Sequence, residues 1–113
     1  MRPKTPTTGF VIAYITTPSV KVAQQIGQEM VENKFAACAN ILPQMQSIYS
    51  WKGEICRDQE VVLLLKTRQE LFTTLMERVL ALHEYECPCI LALPISDGNE
   101  PYLQWISEQT TSF

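Results

Sequence analysis

Histidine occurs once in this sequence and glycine only four times. The lone His83 rules out a His-Glu-x-x-His zinc helix, and no serine sits on a nucleophile elbow to partner it in a Ser-His-Asp triad. No Gly-rich phosphate loop and no Cys-x-x-Cys pair is present. An anion loop of the acylphosphatase kind would set an Arg among glycines, whereas Arg68 leads into helix-forming residues. An enzyme is therefore the weaker class. Positive charge is also scarce: 9 Lys and Arg stand against 12 Asp and Glu, a net charge of −3. With no basic stripe to neutralise a phosphate backbone, nucleic acid is not an expected partner. No unbroken apolar run approaches the ~20 residues of a membrane span, and Met1 to Gly9 lacks the apolar core of a signal peptide. The expected location is the cytosol, where thiols stay reduced. Cys38, Cys56, Cys87 and Cys89 are then free thiols, core filler or metal ligands, not a disulfide framework.

What is present suits one small globular domain: 113 residues, 46% apolar and 19% charged. Residues 1–9, with two prolines and three threonines, are expected to be a disordered tail, and residues 10–113 the folded domain. Phe10 to Thr17 is β-branched and aromatic, a strand stopped by Pro18. Ser19 is placed to cap a helix running to about Lys34, with Ala23, Ile26, Met30 and Val31 at three-and-four spacing. Ala36 to Leu42 is a second apolar run, interrupted at Pro43. Strand alternation resumes with Met45, Ser47, Tyr49 and Trp51 on one face.

Lys52-Gly53 reads as a turn, and the apolar centre of Glu60 to Lys66 as a strand covered on both faces. Thr67-Arg68-Gln69-Glu70 has the form of a capping box ahead of a helix carrying Phe72, Leu75, Met76, Val79 and Leu80. Cys89 to Ile95 is a further strand, and Pro101 opens a short closing helix. The order β-α-β-β-α-β plus a terminal helix predicts an α+β fold, the ferredoxin-like sandwich. The stretch from Tyr49 to Glu60 is long for its place, which suggests hairpin arms reaching toward a neighbouring chain.

The densest chemistry lies in His83-Glu84-Tyr85-Glu86-Cys87-Pro88-Cys89. One imidazole and two thiols are ligands of the kind that favour copper or zinc over magnesium. In an extended segment Cys87 and Cys89 share a face with Cα atoms roughly 6.5 Å apart, a spacing easier for a shared metal than for an S–S bond. The competing reading is ordinary buried cysteine and a helix-end histidine. Cys38, among small residues in a strand, is core filler ahead of ligand. Tyr49, Trp51, Tyr85, Tyr102 and Trp105 suit either core or interface.

Thr16-Thr17-Pro18, Ala36-Ala37-Cys38-Ala39-Asn40-Ile41-Leu42-Pro43, Tyr49-x-Trp51-x-Gly53-x-Ile55, Glu60 with Lys66-Thr67, His83-x-Tyr85-x-x-Pro88 and Tyr102-x-x-Trp105-Ile106 follow one another in fixed order. Taken together, this set resembles the CutA family of divalent-cation tolerance proteins over about residues 10–108. The resemblance implies a ferredoxin-like subunit in a tight homotrimer, similar to PII signalling proteins, with arms bridging subunits. It also implies a non-enzymatic, cytosolic role in tolerance of divalent metals, chiefly copper. Read from the residues themselves, the candidate metal ligands are His83, Cys87, Cys89 and Cys38, completed by other copies of the chain.

This sequence departs from the family pattern in ways that bear on such a site. Ile15 and Leu82 stand where some bacterial members have a Cys and a second His, Glu84 replaces a Pro, and Cys89 replaces a Glu. Sulfur in place of oxygen would make the site softer, toward Cu(I) or Zn. The alternative is a PII-like regulatory trimer whose inter-subunit cleft, lined by Trp51, Lys66 and Tyr85, holds a small anionic effector. A third reading is an assembly protein with no ligand.

Overall fold

The computed structural model describes residues 7–111. Four strands and three helices alternate along the chain: β1 (Phe10–Thr17), α1 (Val20–Glu32), β2 (Cys38–Trp51), β3 (Glu54–Arg68), α2 (Phe72–Leu82, preceded by a 3₁₀ turn at Gln69–Leu71), β4 (Ile90–Pro94) and α3 (Glu100–Gln109). The sheet order is β2-β3-β1-β4, with every neighbouring pair antiparallel. This is the ferredoxin-like arrangement expected from the element order.

Strand alternation divides the sheet into two unlike faces. Ala13 and Ile15 of β1 and Leu63 and Leu65 of β3 point to the side covered by α1 and α2. There they pack with Ala23, Ile26, Met30, Leu75 and Val79 in one core. α1 starts as its sequence requires, with Ser19 Oγ accepting the Val22 N–H at 3.2 Å. Gly27 lets the helix lie close on the sheet, since a Cβ there would come within 3.0 Å of the Ala39 Cβ.

The opposite face is covered at one end only. α3 seats Leu103 and Ile106 against Ala37, Phe10 and Ile95 in a second, smaller cluster. Arg68 ties the end of α3 down, its Nε donating to Thr110 Oγ1 at 2.8 Å. Beyond α3 the face is open: Leu42, Leu91 and Leu93 are 53%, 54% and 45% exposed. They flank Val62, Tyr14 and Ile12 on the paired strands.

Three local expectations are corrected. The Thr67–Glu70 capping box does not form, because β3 runs on through Arg68 and Thr67 Oγ1 instead donates to the Phe35 carbonyl at 2.6 Å. The 3₁₀ turn that follows has no side-chain cap. Pro43 does not end a strand; β2 continues through it by a bulge between Leu42 and Met45, with Gln44 at φ 66°. Of the expected tail, residues 1–6 lie outside the described residues. Thr8, by contrast, is tied in: its backbone N–H and Oγ1 both donate to the Ile95 carbonyl, at 3.2 and 2.7 Å.

The bulge keeps β2 and β3 paired all the way to Trp51 and Glu54, where Lys52 and Gly53, both at positive φ, close a two-residue turn. The hairpin extends well past the two-helix core. The radius of gyration is 15.0 Å, above the ~13 Å of a compact chain of this length. No helix among the described residues is long and apolar enough to cross a membrane.

Candidate functional site

The open sheet face ends in a cleft of about 710 Å³ at the base of the hairpin. Its floor is the alternating row of strand residues on that face: Tyr14 and Thr16 from β1, Met45, Ser47, Tyr49 and Trp51 from β2, Asp58 and Glu60 from β3. Its wall is the loop between α2 and β4, which contributes Tyr85, Glu86, Cys87 and Cys89.

His83 holds that wall in place. Its backbone N–H closes α2 on the Val79 carbonyl at 2.9 Å, and its ring then turns inward. Nδ1 accepts the Tyr85 N–H at 3.1 Å, and Nε2 lies 2.7 Å from the Thr16 carbonyl. These two bonds call for the neutral ring with its proton on Nε2, which leaves no lone pair for a metal. The His83 and Tyr85 rings lie 4.7 Å apart. Tyr85 then reaches across the cleft and donates its hydroxyl to Glu60 Oε2 at 2.9 Å.

Within one chain the expected metal set does not converge. Among the described residues no three His, Cys, Asp or Glu side chains come close enough to hold one ion. Cys38 lies toward the α3 end of the sheet, opposite Lys66, and its thiol contacts Asn40 Oδ1 at 3.4 Å. Cys87 and Cys89 do share the cleft wall, Cys87 exposed and Cys89 partly buried. Burial raises the pKa of the Cys89 thiol, and the nearby Glu60 charge adds to that shift against a lowering hydrogen bond from Thr16.

Of the three residues expected in an inter-subunit cleft, Trp51 and Tyr85 line this cleft of the single chain and Lys66 does not. Lys66 Nζ donates to the Tyr102 hydroxyl at 3.2 Å and sits over that ring, beside α3. Tyr14, Thr16, Asp58 and Glu60 were missed. The turn at Lys52-Gly53 could have found the acids, because it sets the register that faces Ser47 with Asp58 and Met45 with Glu60.

The cleft tyrosines are bound to carboxylates. Tyr49 donates to Asp58, and that bond pushes its pKa up to about 12. The Tyr85 phenol is raised by burial first and by its bond to Glu60 second. A phenol with a raised pKa in the folded state supports folding fully below its ordinary pKa near 10, and that support is lost as pH climbs through the raised value. Ultraviolet titration of tyrosinate should show phenols ionising well above pH 10, with one late step lost in Tyr85→Phe and one in Tyr49→Phe. An unchanged titration in both variants would contradict these bonds.

An antiparallel four-stranded sheet with α1 and α2 on one face, and α3 and a cleft on the other, defines a small α+β protein of the ferredoxin-like class. Its closer kinship is plain: the chain belongs to the CutA1 divalent ion tolerance family, whose family model matches residues 11–109. The divalent-cation tolerance protein CutA of Thermus thermophilus is 50% identical over 99 residues, covering 88% of this chain and 96% of that protein. Protein CutA of Mus musculus is 45% identical over 100 residues, and there the chain spans only 56% of the relative's length. Among solved structures, the T. thermophilus divalent cation tolerance protein superposes with a TM-score of 0.88 at 49% identity, covering 90% of this chain and 99% of that one. CutA1 of Oryza sativa superposes with a TM-score of 0.90 at 37% identity, covering 95% and 98%. The T. thermophilus relative is named as a tolerance protein rather than as an enzyme.

Proposed function

We propose that this protein is a non-enzymatic homotrimer that acts in divalent-cation tolerance, taking copper or another soft metal ion as cargo through Cys87 and Cys89. The observation that carries the reading is the placement of both thiols on one wall of the cleft, either side of Pro88. Thiolates select Cu(I) and zinc over harder cations. The thiols call for a reducing compartment, so the proposed location is the cytoplasm. His83 is a positioning residue for this wall, not a ligand.

The trimer is supported by the open face. Leu42, Leu91 and Leu93 on the sheet, and Tyr102 and Trp105 on α3, expose apolar surface that a solitary chain would leave in water. A neighbouring copy would also bring further donors to the two sulfurs of one chain.

Anaerobic purification followed by elemental analysis and native mass on the same sample tests both parts. Copper or zinc should be retained in a fixed ratio to trimer, with thiolate-to-metal absorption, and both should vanish in Cys87→Ser/Cys89→Ser. Equal metal content in that double variant would overturn the ligand assignment, and a monomeric mass would overturn the assembly. The rival reading, a regulatory trimer sensing a small anionic effector, has the cleft in its favour but the wrong charge: Asp58, Glu60 and Glu86 line it and no Lys or Arg does.

A further inference from the structure

We infer that the same cleft is a binding site for a linear organic cation carrying two ammonium groups, an alkyl diamine or its longer homologues. The site consists of the carboxylates and aromatic walls and does not depend on the thiols or on metal. Four aromatic side chains line it, Tyr14, Tyr49, Trp51 and Tyr85, together with the carboxylates of Asp58, Glu60 and Glu86. Aromatic faces beside carboxylates attract ammonium groups by cation–π and ionic contact at once.

The arrangement of the charge selects the shape of the ligand. Asp58 and Glu60 are two residues apart on β3 and face the same way. That places their Cα atoms roughly 7 Å apart, a span that a short chain of methylenes between two ammonium groups can match. They are not gathered around a point, and no three metal-ligating side chains among the described residues converge. Each is oriented by a tyrosine hydroxyl, Asp58 by Tyr49 and Glu60 by Tyr85, and a carboxylate so held keeps acceptor positions to spare.

A primary ammonium already sits at the rim. The Lys52 Nζ lies 5.6 Å from the centroid of the Trp51 ring and 3.8 Å from Glu86 Oε2. The chain's own lysine thus stands in for one end of the proposed ligand, between an aromatic face and a carboxylate. The cleft volume is within the range of small-molecule sites, with room for an alkyl chain along the Tyr14 and Met45 side.

Calorimetric titration of the unaltered full chain with putrescine, butylamine and succinate tests the assignment at constant ionic strength. Putrescine should bind saturably, butylamine about tenfold or more weakly, and succinate not at all. Asp58→Asn and Glu60→Gln should each weaken putrescine about tenfold while circular dichroism stays unchanged. Cys87→Ser/Cys89→Ser should bind it as the parent does, which separates this site from the metal reading. Putrescine no tighter than butylamine would overturn the proposal, and so would succinate binding as well as the diamine. Because that ranking is measured on the parent protein, it stands even if a carboxylate variant fails to fold.

Discussion

Leu91→Arg is expected to reduce the native mass of the assembly to that of the 12.9 kDa chain. Leu91 pairs with Tyr14 in the register of β1 and β4, on the edge strand of the uncovered sheet face. Within one subunit the change is mild. The side chain is 54% exposed, and surface substitutions of this kind usually fall within about 0.5 kcal/mol. Across a packed interface it is severe, because an unpaired guanidinium would be buried among leucines at a cost of several kcal/mol. The effect should therefore appear in association and not in secondary structure. Native mass and sedimentation should report single chains, circular dichroism should stay unchanged, and the concentration dependence of the melting temperature should disappear. A control at an equally exposed site away from this face, Leu80→Arg on α2, should keep the parent mass. A variant at Leu91 that retains the parent assembly would show that the open face is not the contact.

Removing the only imidazole should give the second large effect. His83→Ala deletes the bond to the Thr16 carbonyl and the acceptor of the Tyr85 N–H, both partly buried. A backbone group left without its partner costs about 1–3 kcal/mol, so two such losses are a large share of the stability of a small domain. The damage should also spread to the cleft, since Tyr85 reaches Glu60 only while its backbone is held. Denaturant melts should show the midpoint falling, and tyrosinate titration should show the late Tyr85 step moving to lower pH. Under the proposed function, the metal retained should stay as in the parent. A variant that melts normally but loses its metal would make His83 a ligand after all.

These outcomes bear on how much of the molecule its sequence could express. Element order was legible because local rules and tertiary placement agree: Ser19 caps, Pro18 stops β1, and Lys52-Gly53 turns the hairpin. The capping box at Thr67 failed for a reason outside its own segment. The Phe35 carbonyl, brought close by the return from α1, competes for the same hydroxyl and holds Thr67 in the strand. Pro43 misled similarly, since the bulge that accommodates it depends on β3 continuing alongside.

For the site, the residue types read well and their partners read poorly. Trp51 and Tyr85, the large aromatics of neighbouring motifs, both line the cleft of the single chain. Lys66 looked equally suited, but one step of strand alternation cannot tell the cleft end of a sheet face from the end covered by α3. Asp58 and Glu60 resemble ordinary solvated hairpin charges until Tyr49 and Tyr85 bind them. His83 looked like a ligand because both its nitrogens were unassigned, and only the fold supplies the Thr16 carbonyl.

The sheet order has a consequence for growth. With β2 at one margin and β4 at the other, each subunit offers two different unpaired backbone edges. Joining one margin of a copy to the opposite margin of the next is a heterologous contact, which closes into a ring only if the rotation per step divides a full circle. In the proposed trimer, the curvature that made three steps close would keep such a contact from growing into a fibre, and a change at the Pro43 bulge that straightened the arm would risk open-ended filaments.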